Sequence, residues 1–307
     1  MKEKIFDTII IGGGPAGYSA ALYAARAGLD VLVLEKFSAG GQMTETPSIE
    51  NYPGIDEACD GFTLGFKMKS AAERFGAISQ QTEVISVELT ASPKKIVTDI
   101  GEFYSKTVII ATGAKHRHLG LDDEEKLIGR GVGYCAACDG MLYRGKTVAV
   151  VGGGNSAASD ALLLSKICKK VYLIHRRDTL RAEKIYHEPL TKAENIEFIW
   201  NSTVDGLEYD TKLKGANVRN VTDGTVRNIE LDGLFISIGR TPESEMFVGQ
   251  LTLDASGYIT ADETTKTNID GVFAAGDVRS KPFRQIVTAA SDGAVAAHFA
   301  EEYISRN

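Results

Sequence analysis

Short apolar runs, a glycine turn and a stretch of small residues follow one another near the start of the chain. Residues 8–11 are apolar or β-branched and predict a buried strand. The turn at 12–17 reads Gly-Gly-Gly-Pro-Ala-Gly, and the small residues after it predict a helix over 16–27. A second apolar run at 31–34 predicts another strand, which leads to Glu35. The order of strand, glycine turn, helix, strand and acid is typical of a dinucleotide-binding unit.

Each part of this unit has a physical role in binding a nucleotide. Glycines permit a tight turn and let the backbone approach a pyrophosphate, and the following helix offers free N–H groups and the positive end of its dipole. Glu35 can accept hydrogen bonds from both hydroxyls of a ribose. A glycine turn alone is weak evidence because such turns are common, but the strand, helix and acid around this one favour nucleotide binding.

The same pattern recurs farther along the chain. The order of elements repeats as a strand over 147–151, a turn Gly-Gly-Gly-Asn-Ser-Ala at 152–157, a helix over 157–168 and a strand over 171–174. A shift of 140 positions carries the first turn onto the second and brings His175 to the place of the acid. Two such units in register indicate two nucleotide sites.

The two repeats differ at the place of the acid, and this difference indicates the second ligand. His175-Arg176-Arg177 follows the strand of the second repeat, and Arg181 is expected one helical turn farther on. Guanidinium groups bind a 2′-phosphate in a bidentate way, whereas a carboxylate would repel it. The first unit therefore suits a nucleotide with a free ribose, and the second suits NADP. The alternative is that these arginines form the solvated start of a helix.

Three later segments are expected to complete the two units. Residues 108–113 and 234–239 are apolar runs that end in a small residue and glycine, as a late strand of each unit would. Residues 267–277 contain a further short strand followed by Gly276-Asp277, and they are too few to form a domain. We therefore expect this segment to return to the first unit, with Asp277 facing a polyol.

These elements predict an α/β fold with two Rossmann-like nucleotide-binding domains, each of three layers (ββα), the second inserted into the first. A length of 307 residues is enough for two domains with separate cores. The first domain is predicted to comprise residues 1–115 and 245–307, and the inserted domain to comprise residues 116–244.

Composition and charge narrow the classes of function. Apolar residues make up 43% of the chain and charged residues 24%, as in an ordinary globular protein. A net charge of -7 and a pI of about 5.4 argue against nucleic-acid binding. No apolar stretch reaches the roughly 18 residues that a membrane span needs, and the apolar run at 5–11 contains Asp7 and leads into a glycine turn, unlike a signal peptide. We therefore expect a cytoplasmic protein with no membrane or nucleic-acid partner.

Cys135 and Cys138 form a C-x-x-C shortly before the second glycine turn. Such a pair is a redox disulfide, half of a zinc site or a coincidence. Zinc would need further cysteines or histidines at ligand spacing. Cys59 is single, Cys168 is expected in the core in the middle of a helix, and the histidines near the pair lack partner cysteines, so we expect no metal site. Beside two nucleotide units, the redox interpretation is favoured.

The residue after the cysteine pair is a candidate for proton transfer. A disulfide between Cys135 and Cys138 would close a very short loop, so it would add little stability and would open readily by thiolate exchange. Asp139 follows directly and is a candidate general acid or base for the thiols. The alternative is that Asp139 is a cap or turn residue.

Taken in order, these motifs resemble those of the low-molecular-weight bacterial thioredoxin reductases over essentially the full chain. The segments Cys-Ala-x-Cys-Asp-Gly and His-Arg-Arg-Asp are specific, and the order of the motifs is more so. The matching segments are residues 12–17, 40–42, 50–54, 111–113, 135–140, 152–157, 175–178, 181–184, 276–277 and 284–285.

The resemblance implies a homodimer that holds FAD tightly, takes electrons from NADPH and reduces thioredoxin or a related small dithiol protein. It implies that Cys138 faces the flavin, that Cys135 exchanges with the partner protein and that Asp139 is the proton-transfer acid. The cysteine pair and the NADPH unit share one segment, yet both must reach one flavin ring. That segment is therefore expected to rotate, with hinges near residues 114–119 and 240–246.

The expected ligand contacts follow from the repeat and from the family pattern, in which Gln42, Asn51, Asp277 and Gln285 match flavin-contacting positions. The residues expected to bind FAD are Gly12, Gly14, Pro15, Ala16, Gly17, Glu35, Lys36, Gly41, Gln42, Thr46, Asn51, Glu83, Val84, Ala111, Thr112, Gly113, Gly276, Asp277, Arg284, Gln285 and Ile286. The residues expected to bind NADPH are Gly154, Asn155, Ser156, Ala157, His175, Arg176, Arg177, Arg181, Ile238 and Gly239.

Two positions depart from the family pattern, and three other functions stay open. Ala137 stands where the family often has threonine, and Met141-Leu142 stand where some relatives carry aromatic residues that help to dock thioredoxin. The alternatives are a sibling flavin disulfide reductase for a peroxiredoxin-type or glutaredoxin-like partner, a ferredoxin-driven flavin reductase, and a non-catalytic FAD-binding redox sensor. A ferredoxin-driven enzyme would have no need for His175-Arg176-Arg177, and steady turnover with any disulfide would exclude a sensor.

Overall fold

The computed structural model describes residues 4–46, 48–57 and 59–306. The strands are β1 (Ile5–Ile11), β2 (Val31–Glu35), β3 (Ile78–Gln81), β4 (Val84–Glu88), β5 (Lys94–Thr98), β6 (Gly101–Ile110), β7 (Ala114–His116), β8 (Val132–Gly133), β9 (Thr147–Val151), β10 (Lys170–Ile174), β11 (Ile196–Ile199), β12 (Ser202–Tyr209), β13 (Leu213–Asn220), β14 (Val226–Glu230), β15 (Gly233–Ile236), β16 (Arg240–Pro242) and β17 (Val272–Ala274). The helices are α1 (Pro15–Arg26), α2 (Gly61–Glu73), α3 (Ala136–Asp139), α4 (Asn155–Ser165), α5 (Lys184–Lys192) and α6 (Ile286–Arg306).

The chain divides into two compact units, each with its own sheets. The first unit runs up to Lys115 and resumes at Thr241, and the second is His116–Arg240. In the first unit, β3, β2, β1 and β6 lie side by side in parallel, and β17 pairs in parallel with β6. The antiparallel strands β4 and β5 continue from β6. The predicted α/β fold with Rossmann-like parallel sheets is confirmed.

Side chains of the first parallel sheet alternate between two separate cores. Ile10 and Val33 lie on the face covered by α1 and α6, where buried alanines of both helices pack. Ile9 and Leu34 lie on the opposite face and pack with side chains of β4 and β5. Because successive residues of a strand point to opposite faces, a strand between two layers must be apolar throughout. This is why the predicted strands were continuous apolar runs.

The second unit repeats this arrangement. Its parallel sheet has the order β11, β10, β9, β15 and β8, and a separate antiparallel sheet consists of β12, β13 and β14. Val148 and Val150 pack against α4 on one face. Ala149 and Val151 pack with side chains of β12, β13 and β14 on the other. Each layer therefore has a counterpart in the first unit.

Two local predictions in the second unit are wrong. Helix α4 ends at Ser165, so Cys168 follows the helix instead of lying within it. The helix stops because the Ile167 carbonyl accepts a hydrogen bond from Gly145 N at 2.9 Å, which turns the chain toward β10. Arg181 does not lie one helical turn after His175, because α5 begins only at Lys184.

The connections between the units contain β7 and β16, which form a two-stranded sheet of their own. Both strands fall within the segments predicted as hinges, and a rotation about them stays a prediction. In the described part of the chain, no helix is both long and apolar enough to span a bilayer.

Candidate active site and nucleotide-binding turns

The two glycine turns have the same backbone constraint at equivalent positions. Gly12 has a φ of 104° and Gly152 a φ of 148°, both in the region that favours glycine. A Cβ atom at Gly12 would overlap the carbonyl oxygen of Ala111, and one at Gly152 would overlap that of Ser237. The late strand of each unit thus lies with its backbone directly against the turn, which explains why glycine stands at both positions.

Each turn opens toward the N-terminus of a helix that no side chain caps. Gly14 is the N-cap of α1 and Gly154 the N-cap of α4, and neither helix has a side-chain cap hydrogen bond. A Cβ at Gly14 would have its nearest neighbour at 3.9 Å, and one at Gly154 would have none within 4 Å. The first-turn N–H groups therefore face open space, which fits the pyrophosphate of a dinucleotide in both units.

Glu35 lies at the carboxyl end of β2 beside the first turn. One carboxylate oxygen accepts a hydrogen bond from Gly13 N and the other accepts one from Phe37 N at 3.1 Å. A cavity of about 240 Å³ is lined by Glu35 and Phe37. A second cavity of about 410 Å³ is lined by Lys36, Phe37 and Glu83, with Lys36 Nζ 2.6 Å from Glu83 Oε1. This edge of the sheet fits the adenosine half of a nucleotide.

The residues predicted for the flavin half come together at the start of α6. Asn51 Nδ2 donates a hydrogen bond to Gln285 Oε1 at 3.1 Å, across 234 positions of the sequence. Asp277 lies in a short 3₁₀ turn, and its carbonyl accepts a hydrogen bond from Arg284 Nε at 3.4 Å. Ile286 is the first residue of α6. Residues that sequence alone scatters over the chain therefore meet in the first unit.

The other residues predicted for the first nucleotide lie on segments of the same unit. Gly41 and Gln42 begin a 3₁₀ helix that Thr46 ends, and Thr112 Oγ1 donates a hydrogen bond to the Glu243 carbonyl at 2.7 Å. The others lie beside helices and strands of this unit: Pro15, Ala16 and Gly17 at the start of α1, Val84 at the start of β4, Ala111 and Gly113 just after β6, and Gly276 just after β17.

His175 occupies the place of Glu35 in the second unit, but it is buried. Its imidazole lies where a Cβ on Gly153 would be, and it is only 5% exposed. Burial, and after it the positive charge of Arg181, lowers the pKa of His175. Its Nε2 atom has no hydrogen-bond partner in the part of the chain that the structure describes. The lowered pKa favours the neutral imidazole, so the positive charge near the second turn comes from the arginines.

The three arginines have the opposite environment. Arg176, Arg177 and Arg181 are exposed, and none forms an ion pair with the described residues. The segment that carries them is held by the turn, since the Gly153 carbonyl accepts hydrogen bonds from Arg181 N at 2.7 Å and Ala182 N at 3.0 Å. The backbone of this segment therefore lies against the turn, and among the described residues no carboxylate neutralises its three guanidinium groups, which fits a 2′-phosphate.

The remaining residues predicted for the second nucleotide flank the same turn. Asn155 exchanges two hydrogen bonds with Glu183, each of 2.8 Å, and so closes the turn against the arginine segment. The others lie in the first turn of α4 and just after β15: Gly154, Ser156, Ala157, Ile238 and Gly239.

Cys135 and Cys138 form a disulfide at the start of α3, with their Cα atoms 5.3 Å apart. Both are half-buried, while Ala136 between them packs into the helix-side core of the second unit. The free thiol of Cys168 is different, because burial raises its pKa to about 11. A disulfide is not a pair of zinc ligands, so the redox interpretation of the C-x-x-C is supported.

The carboxyl of Asp139 is buried and does not cap a helix, in contrast to the alternative considered from the sequence. It stands at the N-cap of the next 3₁₀ turn, but its side chain makes no cap hydrogen bond. Its Oδ1 atom is buried without a hydrogen-bond partner among the described residues. Burial raises the pKa of this carboxyl to about 6, so near neutrality it exchanges a proton readily.

Replacing Asp139 with asparagine is expected to stabilise the oxidised protein in a pH-dependent way. The folded-state pKa of about 6 lies above the ordinary 3.8, so the folded protein binds more protons than the unfolded chain between these values. The carboxylate therefore destabilises the fold as pH rises from about 4 to about 6. Asp139→Asn should raise the free energy of unfolding by about 1–3 kcal/mol at pH 8 and by almost nothing at pH 4.

Urea unfolding of both proteins at the two pH values measures this difference. Glu230→Gln, which removes an exposed carboxylate of β14, is the control and should change little at either pH. A gain for Asp139→Asn that is equal at pH 4 and pH 8 would contradict the raised pKa.

Three residues near these sites were missed by the sequence analysis. Phe37 lines both cavities and is 70% exposed. Its position two residues after the acid was the sequence signal that could have identified it. The ring of Trp200 lies 6.4 Å from that of His175. The two residues meet because they follow β11 and β10, which pair in parallel. Asp292 accepts a hydrogen bond from Gly276 N at 2.9 Å, and it was recognisable as an acid in a helix of small residues.

The chain is similar to known proteins over nearly its whole length. The family described as "Pyridine nucleotide-disulphide oxidoreductase" matches residues 6–293. Thioredoxin reductase of Listeria monocytogenes is 44% identical over 304 residues, which cover 99% of this chain and 95% of that protein. Thioredoxin reductase of Streptomyces coelicolor is 44% identical over 306 residues, with the same two coverages. The crystal structure of thioredoxin reductase from Streptococcus pyogenes matches with a TM-score of 0.93 at 41% identity, over 99% of both chains.

Proposed function

Because the chain belongs to the pyridine nucleotide-disulphide oxidoreductase family, among its thioredoxin reductases, we propose that it uses NADPH and FAD to reduce thioredoxin through Cys135 and Cys138. The chain is an oxidoreductase that acts on a disulfide. The observation that carries the proposal is the Cys135–Cys138 disulfide, followed directly by the buried carboxyl of Asp139. The disulfide lies in the same unit as a glycine turn flanked by exposed arginines.

The assignment of FAD to the first unit rests on its acid and its open turn. Glu35 suits a ribose with free hydroxyls, and the uncapped α1 suits a pyrophosphate. Asn51, Asp277 and Gln285 supply polar groups at the start of α6 for the rest of the flavin nucleotide. NADPH is assigned to the second unit, because Arg176 and Arg177 favour a 2′-phosphate.

The two cofactors supply a hydride and an electron pair, so that one NADPH and one proton convert one disulfide into two thiols. Cleavage of the Cys135–Cys138 bond leaves two sulfurs, and at least one of them needs a proton. With a pKa of about 6, Asp139 holds a proton in part of the molecules near neutrality and can exchange it with a sulfur. The thiolate of Cys135 then attacks the disulfide of the partner protein, and Cys138 resolves the mixed disulfide, which regenerates the pair.

The purified protein, assayed with the thioredoxins of its own host, tests this function. We expect a yellow protein that reduces thioredoxin steadily with NADPH and far more slowly with NADH. Reduction of a glutaredoxin-like or peroxiredoxin-type protein in place of thioredoxin would favour the sibling reductase. Reduction by ferredoxin with no response to NADPH would overturn the assignment of the second unit.

The homodimer and the cytoplasmic location stay predictions of the family resemblance. Sedimentation equilibrium of the FAD-loaded protein measures its mass in solution. We expect about twice the chain's 33.0 kDa, as for a homodimer.

A further inference from the structure

A group of charged side chains is buried beneath the turn that carries Asp277. Asp292 of α6 is 7% exposed and Arg279 is 4% exposed, and the side chain of Lys281 is 5% exposed. Burying a charge costs a large desolvation free energy, which a buried ion pair often barely repays. Stability alone therefore does not explain this group of three side chains, which we call the Asp292 cluster.

Asp292 is the centre of the cluster, because both cations and one backbone N–H group donate hydrogen bonds to its carboxylate. Its two carboxylate oxygens accept hydrogen bonds from Arg279 Nε and Nη2, each at 2.8 Å, in a bidentate pair. Lys281 Nζ donates to Asp292 Oδ2 at 2.8 Å. The same Oδ2 atom accepts a hydrogen bond from Gly276 N at 2.9 Å. Two cations thus fix the carboxylate, and the carboxylate fixes one backbone N–H group.

That N–H group belongs to the residue before Asp277. Gly276 has a φ of 78°, in the left-handed region that favours glycine, so the sharp turn before Asp277 depends on this residue. The turn is held from its other end as well, since Arg284 Nε donates to the Asp277 carbonyl at 3.4 Å and Arg284 Nη2 to the Arg279 carbonyl at 3.3 Å. Contacts from within the protein therefore hold the backbone on both sides of Asp277, and with it the Cα atom from which the Asp277 side chain projects.

Close packing of α6 excludes water from the cluster. A Cβ on Gly293, next to Asp292, would overlap the carbonyl oxygen of Ala16 in α1. The helix that carries Asp292 is thus pressed against the helix that follows the first glycine turn. Because hydrogen bonds to a charged group are stronger away from water, this arrangement makes the bond to Gly276 N stiff.

We propose that Asp292 is a positioning residue for the flavin nucleotide: held by Arg279 and Lys281, it fixes Gly276 and so aims the Asp277 carboxylate at the hydroxyls of the flavin's polyol. The proposal rests on the assignment of FAD to the first unit. Asp292 itself touches no part of the ligand and acts only through the turn.

The affinity of the apoprotein for FAD, titrated by flavin fluorescence after removal of the bound cofactor, is the first measurement. Asp292→Asn should raise the dissociation constant of FAD about ten- to hundredfold, as expected for a lost hydrogen bond to a charged group. Visible circular dichroism of the bound flavin should change shape as well, because the ligand is held differently. Glu263→Gln is the matched control: Glu263 is 96% exposed, 3.9 Å from Arg279 Nη2, and should leave both readouts unchanged.

A second variant covers the case in which Asp292→Asn does not fold. The triple variant Asp292→Leu with Arg279→Met and Lys281→Met removes the carboxylate together with both cations, so no charge stays buried without a partner. This variant should show the same loss of FAD affinity, and its apoprotein should fold, because apolar side chains of similar size often replace a buried ion pair without loss of stability.

The outcomes separate this proposal from the proposed function. A folded variant without the carboxylate that binds FAD as tightly as the parent, with an unchanged dichroism spectrum, would overturn the role of Asp292. A parent protein that binds no FAD would instead overturn the cofactor assignment.

Discussion

Replacing Cys138 with serine is expected to lower thioredoxin reduction by at least about a thousandfold, while NADPH still reduces the bound flavin. With a single sulfur left at Cys135, the chain has no disulfide to accept an electron pair, and thiolate exchange with the partner cannot be completed. Steady-state NADPH oxidation with thioredoxin measures the first effect, and stopped-flow bleaching of the flavin absorbance measures the second.

The matched control removes a cysteine from the same unit. Cys168→Ala deletes a buried thiol whose pKa of about 11 makes it unreactive near neutrality, so thioredoxin reduction should stay within about twofold. If Cys138→Ser kept a tenth of the parent's activity, the assignment of the redox pair would be wrong. If instead its flavin were no longer reduced by NADPH, the serine would have damaged more than the exchange step.

Changing both Arg176 and Arg177 to alanine is expected to lower kcat/KM for NADPH about a hundred- to a thousandfold and to leave that for NADH nearly unchanged. At an exposed site each arginine contributes about 1.5–2 kcal/mol through its hydrogen bonds to the phosphate, and only NADPH carries the 2′-phosphate. Both arginines are exposed and form no ion pair with the described residues, so replacing them breaks no existing ion pair there.

The control is an arginine of the same unit whose partner is known. Arg219 is exposed and ion-paired with Asp205, its Nε 2.9 Å from Asp205 Oδ2, so Arg219→Ala should leave the preference for NADPH intact. Trp200, the single tryptophan of the chain, lies beside His175 and gives an independent binding signal through its fluorescence. Equal losses with NADPH and NADH would mean that the arginines support the fold of the segment rather than the phosphate.

The repeat could be predicted from the sequence because its signals are local. A glycine turn between an apolar run and a helix of small residues has the same meaning wherever it occurs, and α1 was predicted at 16–27 and lies at Pro15–Arg26. The redox pair was predicted from the C-x-x-C spacing together with the two nucleotide units, and its disulfide is present. The buried state of Asp139 was not predictable, because it depends on packing around α3.

The errors lie where distant segments decide the local structure. Helix α4 was predicted to reach residue 168, but hydrogen bonds to the turn before β9 end it at Ser165. Arg181 was placed on a helix, but its N–H bonds to Gly153 and the chain stays irregular there. Nor did the sequence indicate that His175, which is predicted to bind NADPH, is buried under the turn. Periodicity carries no information about such long-range contacts.

The pairing of β17 with β6 has a consequence for the order of events during synthesis on the ribosome. The second unit is one continuous stretch, His116–Arg240, and its strands are complete when that stretch has emerged. The first unit is completed later, because β17 and α6 are synthesised last. Helix α6 packs against α1, from which it is separated by most of the sequence. Domains fold as units while they emerge, so the first unit is completed only after the second has folded. A nascent chain arrested before residue 272 should therefore bind NADPH but not FAD.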